Sequence, residues 1–211
     1  MTDWANILEE DLRWREAELA SLKRLAINSS DNPGTYSATL RASWALLYAH
    51  FEGFTKYCWE ILLDQVQEKK VPVESLEDKY LLLALEKDFR VLRKNLSREA
   101  LWQFFSIELP NLLKKDAIFD DDCRPDADSN LWPNVFEREC ARVGITSDEL
   151  NSQRPRIMTL VARRNDIAHG KVMTIKSVEE YSEYEKATTM VMHDLAISVL
   201  SVLSEGSYKK P

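Results

Sequence analysis

From Leu40 to Phe54 the chain reads Leu-Arg-Ala-Ser-Trp-Ala-Leu-Leu-Tyr-Ala-His-Phe-Glu-Gly-Phe, so apolar residues fall on nearly every side of a helix. A helix that is apolar all round is stable in water only when other elements surround it. The segment therefore predicts a central helix, running from about Tyr36 to Lys69, and a chain able to wrap it. A first wrapper precedes it. From Asp3 to Ala26, Trp4, Ile7, Leu8, Leu12, Leu19, Leu22 and Leu25 recur at spacings of three and four between charged residues, the pattern of an amphipathic helix. The polar stretch from Asn28 to Gly34, with Pro33 inside it, separates the two.

The rest of the chain continues in helical periods. With only 5 Gly and 7 Pro in 211 residues, it lacks the turn residues that a many-stranded sheet needs at its corners, and the fold class reads as all-α. After a break at Val71-Pro72, Ser75-x-x-Asp78 resembles a capping box opening a helix to about Leu92, and Ser97 caps another to about Leu109. A short helix from Asn134 to Val143 stops at Gly144, and Thr146-x-x-Glu149 reads as the next capping box. Arg154 to Ala168 is helical, and Ser177-x-x-Glu180 opens a long last helix to about Glu205. No internal repeat is visible, so one domain over residues 1–205 is expected, with 206–211 a frayed tail.

No segment approaches the roughly 18 to 20 uninterrupted apolar residues of a membrane span, and acids stand where a signal peptide has bases. A cytoplasmic protein without membrane contact is the expectation. Cys58, Cys123 and Cys140 are odd in number and lack CxxC spacing, which points to buried thiols rather than a disulfide framework or zinc site. A net charge of −7 excludes a chain that coats nucleic acid nonspecifically, while leaving room for a local basic patch.

Between Pro110 and Pro133 the periodicity dissolves into an acidic stretch, residues 116–128, expected to be an exposed and mobile loop. Asp126, Asp128 and Asn130, with Glu137 at the twelfth position, copy part of a calcium-loop spacing. Leu131 replaces the glycine that makes the sharp turn, and Pro133 interrupts the loop, so solvated charge is the better reading and no metal is expected.

The stretch Arg163-Arg164-Asn165-Asp166-Ile167-Ala168-His169-Gly170 stands apart. Residues 154–171 hold five bases, Arg154, Arg156, Arg163, Arg164 and Lys171, against one acid, Asp166, in an otherwise acidic chain. Such cations can simply complement the macrodipole of a helix C-terminus. On an unbroken helix Arg164 and His169 lie about 140° apart, but a helix ending at Gly170 would free His169 to swing toward the same cleft, with Asn165 one turn earlier to orient its ring. On the central helix, Arg41 and Glu52 stand near three full turns apart and can share a face. His50 reads as an ordinary core or rim residue.

Arg164-x4-His169, with Asn165 directly after the arginine, resembles the Rx4–6H motif of the HEPN superfamily. Leu47-Tyr48-Ala49-His50-Phe51-Glu52-Gly53-Phe54 is similar to the first-core-helix signature of its MAE-like bacterial branch. The resemblance spans about Leu40 to Leu203. It implies a bundle of about four to five core helices with extra short helices and an acidic loop, dimerising so that two Rx4–6H motifs meet across a cleft. Many HEPN proteins are similar to metal-independent endoribonucleases of toxin–antitoxin or phage-defence systems, needing no cofactor; others are noncatalytic binding or regulatory modules.

That chemistry rationalises a homodimer. Metal-free RNA cleavage requires a base for the 2′-hydroxyl, stabilisation of charge at phosphorus and an acid for the leaving 5′-oxygen. One histidine cannot serve both sides of the phosphorus, whereas a two-fold axis supplies two. The resemblance casts Arg164 as phosphate clamp, His169 as general acid/base and Asn165 as an orienting or RNA-contacting group. Arg163, Lys171, Arg41 and Glu52 are candidates for substrate contact, the last two alternatively bracing Arg164. RNA and a second copy are the expected partners, with an antitoxin or another protein also open.

Overall fold

The computed structural model describes residues 3–210, and among them the chain is helical with no β-strand, only the isolated bridges Pro72–Asp116 and Leu76–Lys209. Four long helices make the bundle: α1 (Asp3–Asn28), α2 (Pro33–Glu68), α8 (Asp148–Ala168) and α9 (Val178–Glu205). Between α2 and α8 lie the short helices α3 (Asp78–Ala84), α4 (Glu86–Leu92), α5 (Arg98–Gln103), α6 (Leu109–Leu113) and α7 (Pro133–Arg142). The fold class is thus all-α, as the composition predicts.

Helix α2 is the axis, packing against α1, α8 and α9. Its Trp44, Leu47, Tyr48, Phe51, Phe54, Trp59 and Leu62 are all buried, which is why apolar residues fall on most sides of this helix. Buried polar groups still need partners, and the Trp44 indole donates to the Leu160 carbonyl of α8 at 3.1 Å. Pro33, read in the sequence as part of a break, is the first residue of α2. Its missing N–H costs nothing at that position, and the Asn32 side chain caps the helix by accepting from the Thr35 amide at 3.1 Å.

Two other helix starts differ from the sequence reading. The α3 cap is Glu77, accepting from the Lys79 amide, while Ser75 sits in a preceding 3-10 turn. The helix expected to reach Leu92 is split at Leu85 into α3 and α4. Helix α8 begins at Asp148 and runs through Pro155, with Ser147 rather than Thr146 as its cap. Ser97 and Ser177 cap as predicted, accepting from Ala100 and Glu180 amides.

The acidic segment is not a solvated excursion. Ala117, Phe119, Cys123, Ala127 and Leu131 are buried, and three of its acids meet bases outside it: Asp120 with Lys87, Asp126 with Lys56, Asp128 with Arg138. Alternating apolar side chains anchor it, and Asp121 pairs with Arg124 of the same segment. The tail is likewise docked. Tyr208 is buried against Tyr80 with ring centroids 6.4 Å apart, and the Tyr208 carbonyl accepts from the Glu77 amide at 2.8 Å.

Helix α9 is long and apolar enough by composition to cross a bilayer, with a mean hydropathy of 1.4 over its best window. Its Tyr181, Val191, Leu195 and Val199 are instead buried against α2 and α8, the way a core helix passes the same test. Cys58, Cys123 and Cys140 are free and buried, and burial pushes the Cys140 thiol up to about 12.

Candidate functional site

Successive helical residues point about 100° apart, and this separates the two arginines of the motif. Arg163 faces α9 and the Trp44 turn of α2, paired with Glu180 at 2.7 Å and placed over the Trp44 and Tyr184 rings at 5.0 and 5.6 Å. It is embedded in the packing of three helices. Arg164 faces the middle of α2, its guanidinium carbon 4.0 Å from the Tyr48 ring centroid. One of its terminal nitrogens donates to Asn130 at 2.8 Å and to Asn165 at 2.9 Å, and the other lies 3.6 Å from Glu52.

These residues meet at a small cleft of about 360 Å³ lined by Ala45, Tyr48, Ala49, Glu52, Gly53, Arg164, Ile167 and Ala168. Alanines at 45 and 49 leave the space that Arg164 enters. Tyr48 and Glu52, one turn apart on α2, form its polar wall. Burial, and then the adjacent Glu52 carboxylate, push the Tyr48 phenol far above its ordinary range, so it stays neutral and serves as acceptor and ring platform. Its hydroxyl accepts from the Leu131 amide at 2.8 Å. That bond fixes the chain next to Asn130, whose carboxamide then reaches Arg164.

Asn130 is brought in by a turn at Asp128, which adopts φ 51, a left-handed conformation that Asp tolerates better than most residues. Arg138 holds the Asp128 carboxylate at 2.8 Å. Sequence reasoning weighed Asn130 only as a calcium ligand. Instead Asp126, Asp128, Asn130 and Glu137 face Lys56, Arg138, Arg164 and Arg154 respectively. Nothing local to residue 130 signals its contact with residue 164. The Tyr48–Glu52 spacing, one turn on the face of Ala45 and Ala49, was the available clue to the platform.

His169 occupies a different position. Helix α8 ends at Ala168 and His169 is its C-cap, followed by Gly170 at φ 70. The Gly170 amide donates to the Ile167 carbonyl and the Lys171 amide to the Asp166 carbonyl, a Schellman termination that satisfies the last carbonyls. His169 therefore stays near the helical track, exposed and outside the lining of the Arg164 cleft; the inward swing expected at the glycine does not occur. The Asn165 carboxamide turns to Arg164, and its link to His169 is the backbone bond, His169 N–H to Asn165 carbonyl at 2.9 Å.

The structure thus brings Arg164, Asn165 and Glu52 together. Arg41 lies farther along the same side of α2, donating to the Lys171 carbonyl at 3.3 Å, with its buried Nε unpartnered. The Lys171 ammonium pairs with Asp166 at 2.7 Å. In space the basic stretch is largely neutralised, since Arg154, Arg163, Arg164 and Lys171 each have a carboxylate neighbour.

His50 lies on the opposite side of α2. It is buried, with Nδ1 3.3 Å from an Arg15 guanidinium nitrogen and Nε2 2.8 Å from the Glu18 carboxylate, close but off the line of a good hydrogen bond. Arg15 can only donate, so Nδ1 accepts and the neutral imidazole carries its proton on Nε2. Burial, and then the Arg15 charge, lower its pKa below the ordinary value of 6.5. Gly53 admits Arg15 here, since a Cβ at that position would stand 3.2 Å from the guanidinium. Among the described residues no cluster of His, Cys, Asp and Glu is arranged to hold a metal ion.

No curated protein and no solved structure matches the chain. A family model described as "HEPN_MAE_28990:/-like HEPN" matches residues 4–208. The match covers both the α2 phrase and the end of α8, and with it the chain belongs to the MAE_28990-like HEPN family.

Proposed function

We propose that the protein is a metal-independent endoribonuclease acting as a homodimer, toxin-like or defence-related, cleaving RNA to a 2′,3′-cyclic phosphate. The observation that carries this reading is the division of labour at the end of α8: an immobilised guanidinium at Arg164 and, five residues on, an unengaged and exposed imidazole at His169. An exposed histidine outside its own chain's cleft is what a shared site needs, because a two-fold axis can set it against the other copy's Arg164. The Arg164 side chain retains 27% of its exposure, enough for a phosphate oxygen to approach.

In the proposed reaction one His169 takes the 2′-hydroxyl proton, the new oxygen attacks phosphorus, and the second His169 protonates the departing 5′-oxygen. Arg164 stabilises the charge on the non-bridging oxygens, and its Tyr48 platform limits the reorganisation this requires. Glu52 and Asn165 hold the guanidinium, and Arg41 holds the backbone that follows His169.

A second reading, a noncatalytic module that partners another protein, is favoured by one observation. Arg164 is already satisfied by Asn130, Asn165, Glu52 and Tyr48 within a single chain, as a structural arginine would be. The deciding experiment is RNA cleavage by purified protein in EDTA, with the His169→Ala variant beside it. Cleavage by wild type and none by the variant supports the nuclease. Equal inertness on varied RNAs, with equal harmlessness on expression, leaves the module.

A further inference from the structure

Among the described residues one carboxylate is buried, and it lies outside the Arg164 cleft. Glu139, on α7, is 3% exposed. A buried charge is costly unless it is paired and hydrogen-bonded, so its partners show what it is kept for. One Glu139 oxygen accepts from the Arg138 Nε and the other from a terminal nitrogen of Arg142, both at 2.6 Å. The two arginines lead in different directions.

Arg142 leads into the fold. Its second terminal nitrogen donates to Glu86 at 2.6 Å and to the Cys123 carbonyl, which ties α7 to α4. That arm is ordinary bracing.

Arg138 leads toward the cleft. Its terminal nitrogen donates to the Asp128 carboxylate at 2.8 Å, and Asp128 is the residue at φ 51, a left-handed conformation unfavourable to a side chain. Two residues on, Asn130 accepts from Arg164 at 2.8 Å. An exposed ion pair contributes little by itself, because ordering two long side chains offsets most of the attraction. Here Glu139 already orders the guanidinium through its Nε, so the rest of the fork meets Asp128 at small further entropic cost.

The remainder of the turn is gripped from α2 and α8. Lys56 holds Asp126 at 3.0 Å and pairs with Glu52 of the cleft at 3.3 Å, while the Tyr48 hydroxyl holds the Leu131 amide. At Asp128 the grip comes from α7. Without it, a residue in an unfavourable backbone conformation is free to relax, and Asn130 moves with it.

We propose that Arg138, anchored on the buried Glu139, is a positioning residue for Arg164, acting through the Asp128 turn and Asn130. Neither Arg138 nor Glu139 lines the cleft, and neither contacts the reacting atoms. The consequence for RNA cleavage rests on the nuclease reading; the placement of the guanidinium does not.

The test uses the full chain with Arg138→Met, which keeps the stem of a half-exposed side chain, and with Glu139→Gln, each alone and combined with Asn130→Ala. In either single variant kcat for RNA cleavage in EDTA is expected to fall about three- to tenfold with KM nearly unchanged, as when a clamp on the transition state is misplaced. In the Asn130→Ala background neither substitution should lower kcat further by more than about twofold, because the link it acts through is already gone. The nitrogen resonance of the Arg164 Nε supplies a readout that needs no cleavage. It should move in Arg138→Met and in Asn130→Ala, and the double variant should match Asn130→Ala alone. Losses that add in the double variant, or an Arg164 resonance unmoved by Arg138→Met, overturn the proposal and leave the pair to the stability of α7. A wild-type protein inert on RNA would end the nuclease reading, and the Arg164 resonances would then decide the positioning role by themselves.

Discussion

The Tyr48 hydroxyl accepts a 2.8 Å hydrogen bond from the Leu131 amide, joining the central helix to a segment 83 residues further along the chain. Through this bond one tyrosine does two things. Its ring carries the Arg164 guanidinium, and its oxygen fixes the backbone that presents Asn130 to the same guanidinium.

Tyr48→Phe separates these contributions. The ring remains beneath Arg164, but the buried Leu131 amide loses its acceptor, a loss of about 1–3 kcal/mol. Chemical unfolding should show that decrease, and hydrogen exchange should quicken at Leu131 with little change in α9. Unchanged protection at Leu131 would show that the hydroxyl does not hold the segment.

Arg164→Lys keeps the charge but removes the planar group that spans Asn130, Asn165, Glu52 and the Tyr48 ring. RNA cleavage should fall by roughly 100-fold or more, as when a donor to a developing oxyanion is lost. Asn130→Ala should cost less, about tenfold, since Asn165 and Glu52 still hold the guanidinium. His169→Ala should abolish cleavage and leave the melting temperature within a degree or two, because His169 is exposed. A large loss of stability in that variant would place the imidazole in the fold instead.

The His50 cluster predicts a pH dependence of stability. Its neutral form is favoured in the folded protein, first because burial penalises the charged ring and then because a proton on Nδ1 would displace the Arg15 donor and set two cations together; Glu18 and Asp11 oppose this only in part. The folded pKa lies below 6.5, so between it and 6.5 the unfolded chain binds more protons than the folded one. Stability is full above about pH 6.5 and falls as pH drops toward the folded pKa. Melting curves from pH 7.5 to 5 should show the fall, and His50→Gln should flatten it. Identical slopes for the two proteins would remove His50 as its source.

The chain end should matter more than its sequence suggests. Tyr208→Ala removes a buried ring from Tyr80 and should lower stability by about 2–4 kcal/mol, measured by urea unfolding.

The long helices were legible because burial on α2 covers most of its circumference, leaving one face with Ala42, Ala49, Glu60 and Asp64 exposed, and because α1 and α9 carry apolar stripes at helical spacing. Cap residues were legible at Ser97 and Ser177, where the side chain sits at the boundary. They were not at Ser75 and Thr146, where Glu77 and Ser147 lie equally close and win by local geometry. The acidic segment and the tail were misread for a common reason. Their polar letters dominate, while what docks them is a sparse set of buried side chains and cross-chain carbonyls invisible to local periodicity. At the site, the α8 motif was readable as residue types in order. The partition of Arg163 from Arg164 follows from helical geometry, but the recruitment of Asn130 depends on a turn at Asp128 that only the fold reveals.

Gly170 closes α8 at φ 70, and a Cβ added there would meet no heavy atom within 4 Å. Space is therefore not what reserves this position for glycine; handedness is. An L-residue is strained by its own backbone, whereas the mirror-image residue finds the same dihedral comfortable. A semisynthetic chain carrying D-alanine at position 170 should keep the Schellman hydrogen bonds and the presentation of His169. Because it also restricts the unfolded chain, it should be the more stable protein, by about 0.4–1 kcal/mol. The chirality of a single atom would then set how firmly the end of the helix is held.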